Sequence, residues 1–303
     1  VARKVLRKGV LVGREALDNR SMLDLHRPLE QGLIKDNSEK DEAAVRELLR
    51  HLLQLAGANA EDGDGTLVRA GGAGRKALDR AVFRLYGKRG TCRELDLAGK
   101  TDLRNFSEAV SAATGRVAGR REIDRLHREY LRILPSQVSR AVREGRYRLC
   151  AGVAPLLRRL SREEGVLLGL GTGNVEEGAR IKLEPSGFNK YFSFGGFGSD
   201  SFHRHILLKK AVQRARKLLN GHGRAVRADR VFVIGDTPLD VRAGREAGFR
   251  TVGVGTGFAG WSELAASKPD HLAKDFRRIS QWLDWLGLKK KTAARSKGRM
   301  KRT

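Results

Sequence analysis

The 303-residue sequence predicts an α/β fold: a doubly wound parallel sheet with a small helical layer inserted after the first strand. Three observations carry the prediction. Apolar runs at 166–171 and 231–235 each end in a polar turn that opens a helical pattern, as a buried parallel strand does before its crossover helix. Two more strand-like runs, at 192–196 and 251–254, continue the alternation from Val153 onward. Between 78 and 149 the apolar residues instead recur at helical spacing, as in Leu78, Val82 and Leu85, then Phe106, Val110 and Ala113, then Ile123, Leu126, Tyr130 and Ile133.

The elements follow in order. Residues 1–50 are charged and mixed, with helical periodicity only near 42–55, and read as a poorly ordered extension. The core is assigned to 51–77 and 150–288, the helical layer to 78–149, and a disordered basic tail to 289–303. A first strand is expected within 52–58, ahead of Asp62-Gly63-Asp64-Gly65-Thr66. Pro155 marks a helix start, and a further helical pattern runs from Ile206 to Leu219. The last helical pattern, 276–286, carries Trp282 and Trp285, which read as core.

Composition bounds the function. A hydrophobic content of 40% over this length can bury a sizeable core, and no apolar run approaches the roughly 18 residues of a membrane span. Cys92 and Cys150 form neither a disulfide framework nor a metal cluster, so they read as ordinary thiols of a cytoplasmic protein. The basic, mildly apolar opening lacks the long apolar core of a targeting peptide. The formal charge of +26 makes nucleic acid a candidate non-specific partner through counterion release. The positive charge is spread along the whole chain, however, and aromatic content is only 6%.

The chemistry concentrates at strand ends. Side chains two apart on extended backbone share a face, so Asp62 and Asp64 can aim together at a phosphate or a cation. Gly65 permits close backbone approach. A hydroxyl, Thr172, follows the second apolar run, with Gly173 and Asn174 beside it. Arg204 stands at a helix entrance, flanked by His203 and His205, and Asp236 and Asp240 follow the run at 231–235. Acid, hydroxyl, cation and acid therefore occur in that order.

In these four motifs the chain resembles the haloacid dehalogenase-like phosphohydrolases, and specifically their phosphoglycolate phosphatase-like branch. The similarity runs from about Asp62 to Phe276 and includes the segments at 69–75, 99–102, 178–185 and 253–257. The resemblance implies Asp62 as nucleophile, Asp64 as general acid and base, and Thr172 and Arg204 as holders of the phosphoryl group. It implies substrate contacts from Gly173, Asn174 and Lys100. It also implies Mg²⁺, held by Asp62, Asp236 and the backbone of Asp64, with Asp240 orienting that shell, and it turns the helical layer into a cap over the cleft. The second acid, Asp64, separates this pattern from carbon–halogen hydrolysis. One departure stands out: Glu61 and Gly63 occupy positions where the family carries apolar side chains, which weakens the strand that presents the nucleophile.

The expected function is Mg²⁺-dependent hydrolysis of a small phosphomonoester such as phosphoglycolate. The alternatives are a phosphomutase-like enzyme, a phosphonatase-like enzyme with Lys100 as its Schiff-base lysine, and a catalytically weak protein that binds polyanions through the same fold.

Overall fold

The computed structural model of the chain describes residues 65–97, 99–219, 226–257 and 259–288. The extension 1–50, the expected first strand, Glu61, Asp62, Gly63, Asp64 and the tail 289–303 lie outside the described residues.

Three of the strands are short stretches closed by glycine. β3 (Gly169–Gly171) pairs in parallel with β4 (Phe194–Gly196), Leu170 opposite Gly195. β5 (Phe232–Gly235), β6 (Arg250–Val254) and β7 (His271–Ala273) form a second parallel group in that order, with Ile234 opposite Val252 and Val252 opposite His271. A helix bridges each step: α5 (Glu176–Leu183) between β3 and β4, α6 (Arg204–Leu219) between β4 and β5, α7 (Pro238–Ala247) between β5 and β6, and α8 (Trp261–Ala266) between β6 and β7. With α4 (Val153–Leu160) before β3 and α9 (Ile279–Trp285) at the end, this is the doubly wound α/β arrangement expected. Its core holds Val153, Leu157, Phe197, Val252, Val254, Phe276 and Trp282, all nearly inaccessible. Trp285 packs edge-on against Trp282, and its ring stacks on His271.

The helical layer has its own core. α1 (Ala73–Tyr86), α2 (Asp102–Thr114) and α3 (Arg120–Arg143) bury Leu78, Val82, Phe106, Val110, Leu126, Tyr130 and Leu134 against one another. On α3 the buried residues Ile123, Leu126, Tyr130, Ile133, Leu134 and Val138 recur every three or four positions, one stripe of a helix whose other face is charged. The chain enters and leaves this layer through a two-residue antiparallel ladder, β1 (Val68–Arg69) against β2 (Arg148–Leu149).

Several boundaries differ from the periodicity. The layer begins at Ala73, five residues ahead of the expected 78, because Ala73 and Ala77 already face its core. The strand expected from Val166 starts only at Gly169, since the Val166 amide donates to the Glu163 carbonyl and closes a turn first. Pro155 is the third residue of α4, within the first turn, where a missing N–H costs nothing. The last helix starts at Ile279; Phe276 is held before it by its amide, which donates to the Ala151 carbonyl.

The turn after β4 is tied by Asp200, which accepts two bonds from the Arg214 guanidinium (2.6 and 2.8 Å) and one from the Phe197 amide (2.9 Å). Burial pushes this carboxyl up, but Arg214 and the Phe197 amide outweigh it and hold it below its usual range. A depressed carboxyl stabilises the fold above its unfolded-state value and loses that contribution as pH falls through the folded value. Asp200→Asn should therefore cost about 1–2 kcal/mol at neutral pH. The gap between the two melting curves should close below about pH 4, and a constant gap across the acid range would refute the assignment.

Candidate active site

Past the carboxyl ends of β3 and β5, polar side chains line one end of a cavity that continues along both strands, where Leu157, Leu170, Phe232 and Ile234 line it. Its lining includes Gly65, Thr66, Thr172, Gly173, Asn174, Arg204, Asp236 and Asp240, together with Lys100 and Asn105 from the helical layer and Lys182 from α5.

Asp236 follows β5 directly and is only 7% exposed. The Thr66 hydroxyl donates to its Oδ1, joining the first and last motifs. A side chain at Gly65 or Gly257 would collide with this carboxylate, so both positions must be glycine for the chain to close around it. Burial, and next the negative Asp240 nearby, push Asp236 up to about 6 against the opposing pull of Thr66 and Arg204.

Asp240 caps a helix and meets Arg204. Its Oδ2 accepts from the Thr237 amide (3.1 Å) and hydroxyl (2.8 Å), forming the capping box that starts α7 with Pro238 at the first helical position. Its Oδ1 accepts from Arg204. Arg204 heads α6, donates a second bond to the Gly99 carbonyl at 3.3 Å, and has a buried Nε–H with no acceptor among the described residues. His203 is exposed and His205 pairs with Glu246 on α7 (3.1 Å), so neither joins the cleft.

Thr172 sits just past β3, where its amide donates to the Gly196 carbonyl and extends the ladder. Its hydroxyl oxygen accepts from the Asn174 amide (3.1 Å) and from Asn174 Nδ2 (2.8 Å). Asn174 Oδ1 in turn accepts from the Lys182 ammonium at 2.6 Å. The helical layer clamps this turn: the Asp102 amide donates to the Gly173 carbonyl (2.7 Å) and the Asp102 carboxylate accepts from the Val175 amide (2.9 Å). Gly173 makes the clamp possible, because a Cβ there would strike the Lys100 carbonyl. The Lys100 ammonium itself turns back to Glu108 at 2.8 Å.

The structure thus brings together Thr172, Gly173, Asn174, Arg204, Asp236 and Asp240, with Lys100 in the lining but ion-paired; Asp62 and Asp64 lie outside the described residues. Asp102 and Lys182 were not singled out by sequence. Lys182 had a legible signal: it shares a helical face with Ala179 and Leu183, all three buried, and a lysine on an apolar face needs a reason to be there.

A family model described as haloacid dehalogenase-like hydrolase matches residues 61–245, more than half of the chain. The chain belongs to the haloacid dehalogenase-like hydrolases. Solved structures agree on the fold. A predicted phosphatase from Clostridium acetobutylicum superposes with a TM-score of 0.54 at 17% identity, covering 74% of this chain and 96% of that one. A predicted phosphoglycolate phosphatase from Haemophilus somnus gives 0.51 at 19% identity, covering 72% and 94%. The protein CbbY from Rhodobacter sphaeroides, in complex with phosphate, gives 0.53 at 19%, covering 71% and 92%. Among curated proteins, the actin-like protein MamK of Magnetospirillum gryphiswaldense is 37% identical over 79 residues, and the match spans 25% of this chain and only 22% of that protein's length. This haloacid dehalogenase-like hydrolase has no helix among its described residues long and apolar enough to cross a membrane.

No cluster of three or more metal-ligating side chains occurs among the described residues. The donor set nevertheless fits a magnesium ion of the kind the family implies. Magnesium commonly uses one or two carboxylates with water and substrate phosphate, and Asp236 is a buried carboxylate crowded by a second negative charge. A carboxyl raised on folding stabilises below its unfolded-state value and loses that contribution as pH rises through its folded value. The metal-free protein should therefore lose stability between about pH 4 and pH 6. Asp236→Asn should flatten that limb in a thermal melt and raise Tm at pH 7, and an unchanged limb would show that Asp236 is not the strained group.

Proposed function

We propose that this haloacid dehalogenase-like hydrolase is a magnesium-dependent phosphatase acting on a small, anionic, phosphoglycolate-like phosphomonoester. The observation that supports it best is the meeting of the Thr172 hydroxyl, the Arg204 guanidinium, whose Nε–H has no acceptor among the described residues, and the buried Asp236 carboxylate around one cleft. A transferring phosphoryl group spreads charge over its peripheral oxygens, so its catalysis is mostly positioning and neutralisation. Donors and a cation-seeking carboxylate around one cavity suit that demand.

In this reading a carboxylate oxygen of Asp62 attacks phosphorus, forming an O–P bond as the ester P–O bond breaks. Asp64 gives its proton to the departing alkoxide. Water then attacks the phosphorus of the aspartyl phosphate, returns a proton to Asp64, and releases inorganic phosphate as the Asp62–phosphorus bond breaks. Throughout, Thr172 and Arg204 hold peripheral oxygens in place. Asp236, with Asp62 and the backbone of Asp64, would hold magnesium, which supplies the positive charge that lets these carboxylates share a site with a phosphate dianion. The Asp102 amide and carboxylate tie the helical layer to the Gly173 turn, and in this reading that layer selects the substrate.

Phosphate release from a panel of small phosphomonoesters should require Mg²⁺ and fall to background in Asp62→Asn. Arg204→Met should lower kcat/KM by roughly 10²–10³-fold. Turnover that survives both EDTA and Asp62→Asn would sink the reading.

A further inference from the structure

Thr172, Asn174 and Lys182 form a directional chain whose polarity is fixed at its far end. An ammonium can only donate, so the atom of Asn174 that meets Lys182 Nζ at 2.6 Å must be the amide oxygen. The Asn174 NH₂ group is thereby turned to Thr172 Oγ1 at 2.8 Å. The Asn174 backbone amide reaches the same oxygen at 3.1 Å. A hydroxyl has two acceptor positions and one hydrogen. Both acceptor positions of Thr172 are filled, and no described residue takes its hydrogen, which is left for a ligand in the cavity that Thr172 lines.

Lys182 is itself fixed. It is 6% exposed, and the Tyr147 hydroxyl donates to its carbonyl at 2.9 Å. A Cβ added to Gly74, in the first turn of α1, would come within 3.0 Å of its Nζ.

We propose that Lys182 is a positioning residue: through Asn174 it fixes the Thr172 hydroxyl as a hydrogen-bond donor aimed at a tetrahedral oxyanion. This deepens the phosphatase reading and rests on it for the identity of the oxyanion. Lys182 acts through Asn174, while Thr172 meets the phosphoryl oxygen. The charge at the head of the chain strengthens the bonds along it.

The test is a double-mutant cycle on the full chain, read by calorimetric titration with inorganic phosphate and by steady-state kinetics on a phosphomonoester. Lys182→Met keeps the stem and removes the donor. Asn174→Asp keeps the shape but replaces the NH₂ group by an oxygen, which makes the Thr172 hydroxyl donate inward. Each should weaken phosphate binding on the order of 10- to 100-fold, with Tm within a few degrees of wild type. In a Thr172→Val background, Lys182→Met should add less than about a twofold further loss. Multiplying losses in that background would mean that Lys182 meets the anion directly and would overturn the relay, as would unaltered binding in Asn174→Asp. Should Lys182→Met fail to fold, the Asn174→Asp and Thr172→Val arm alone decides by the same criterion. Wild type that binds phosphate but turns over no phosphomonoester would refute the phosphatase reading and leave the relay to the binding cycle. Wild type that binds neither phosphate nor orthovanadate would refute the relay.

Discussion

Burying the Asp236 carboxylate is the constraint around which the sheet edge is organised. A carboxylate this inaccessible must find donors or a cation, and the chain supplies them from distant parts of the sequence. Thr66 donates to it from the first motif, Arg204 adds charge from the head of α6, and Gly65 and Gly257 withdraw their side chains so that backbone can close over it. The arrangement also explains the division of labour between two aspartates four residues apart. Asp236 stays in tension with its surroundings, whereas Asp240 spends its lone pairs on Thr237 and Arg204 and so starts a helix and orients a cation.

A second set of bonds joins the layers. Asp102 grips both sides of the Gly173 turn, through its amide and through its carboxylate, while Arg204 donates to the Gly99 carbonyl next door. The turn that carries Thr172 is thus held from above by the helical layer and from behind by Lys182 on α5. Pre-organisation of this kind suits phosphoryl chemistry, in which developing charge is met by fixed donors and misplacement of one is costly.

Much of this was legible in the amino-acid order, and for a physical reason. Strand-then-polar-turn units such as 231–235 followed by Asp236 announce both a buried strand and a residue at its carboxyl end, so Asp236 and Thr172 could be found without coordinates. Helical periodicity placed Leu78, Phe106, Leu126 and Tyr130 in one layer, and they share one core. Features made of two or three residues were not legible. The β1–β2 ladder and β7 are too short to show a period, and the extra turn that delays β3 to Gly169 depends on one amide's choice of acceptor. Lys100 shows the other limit. Its position in the lining could be inferred, but its pairing with Glu108 depends on a helical turn eight residues away in sequence.

The β1–β2 ladder has an implication for how such a protein diversifies. Arg69 and Arg148 are partners in the ladder, so the intervening helices leave and rejoin the sheet domain through neighbouring points, roughly 5 Å apart. A segment whose two ends meet can be lengthened, shortened or exchanged for another without altering the register of any strand beneath it. The two-residue ladder is, in effect, a socket. The strand ends and the helical layer can therefore change independently, provided whatever occupies the socket still offers an acid to grip the Gly173 turn.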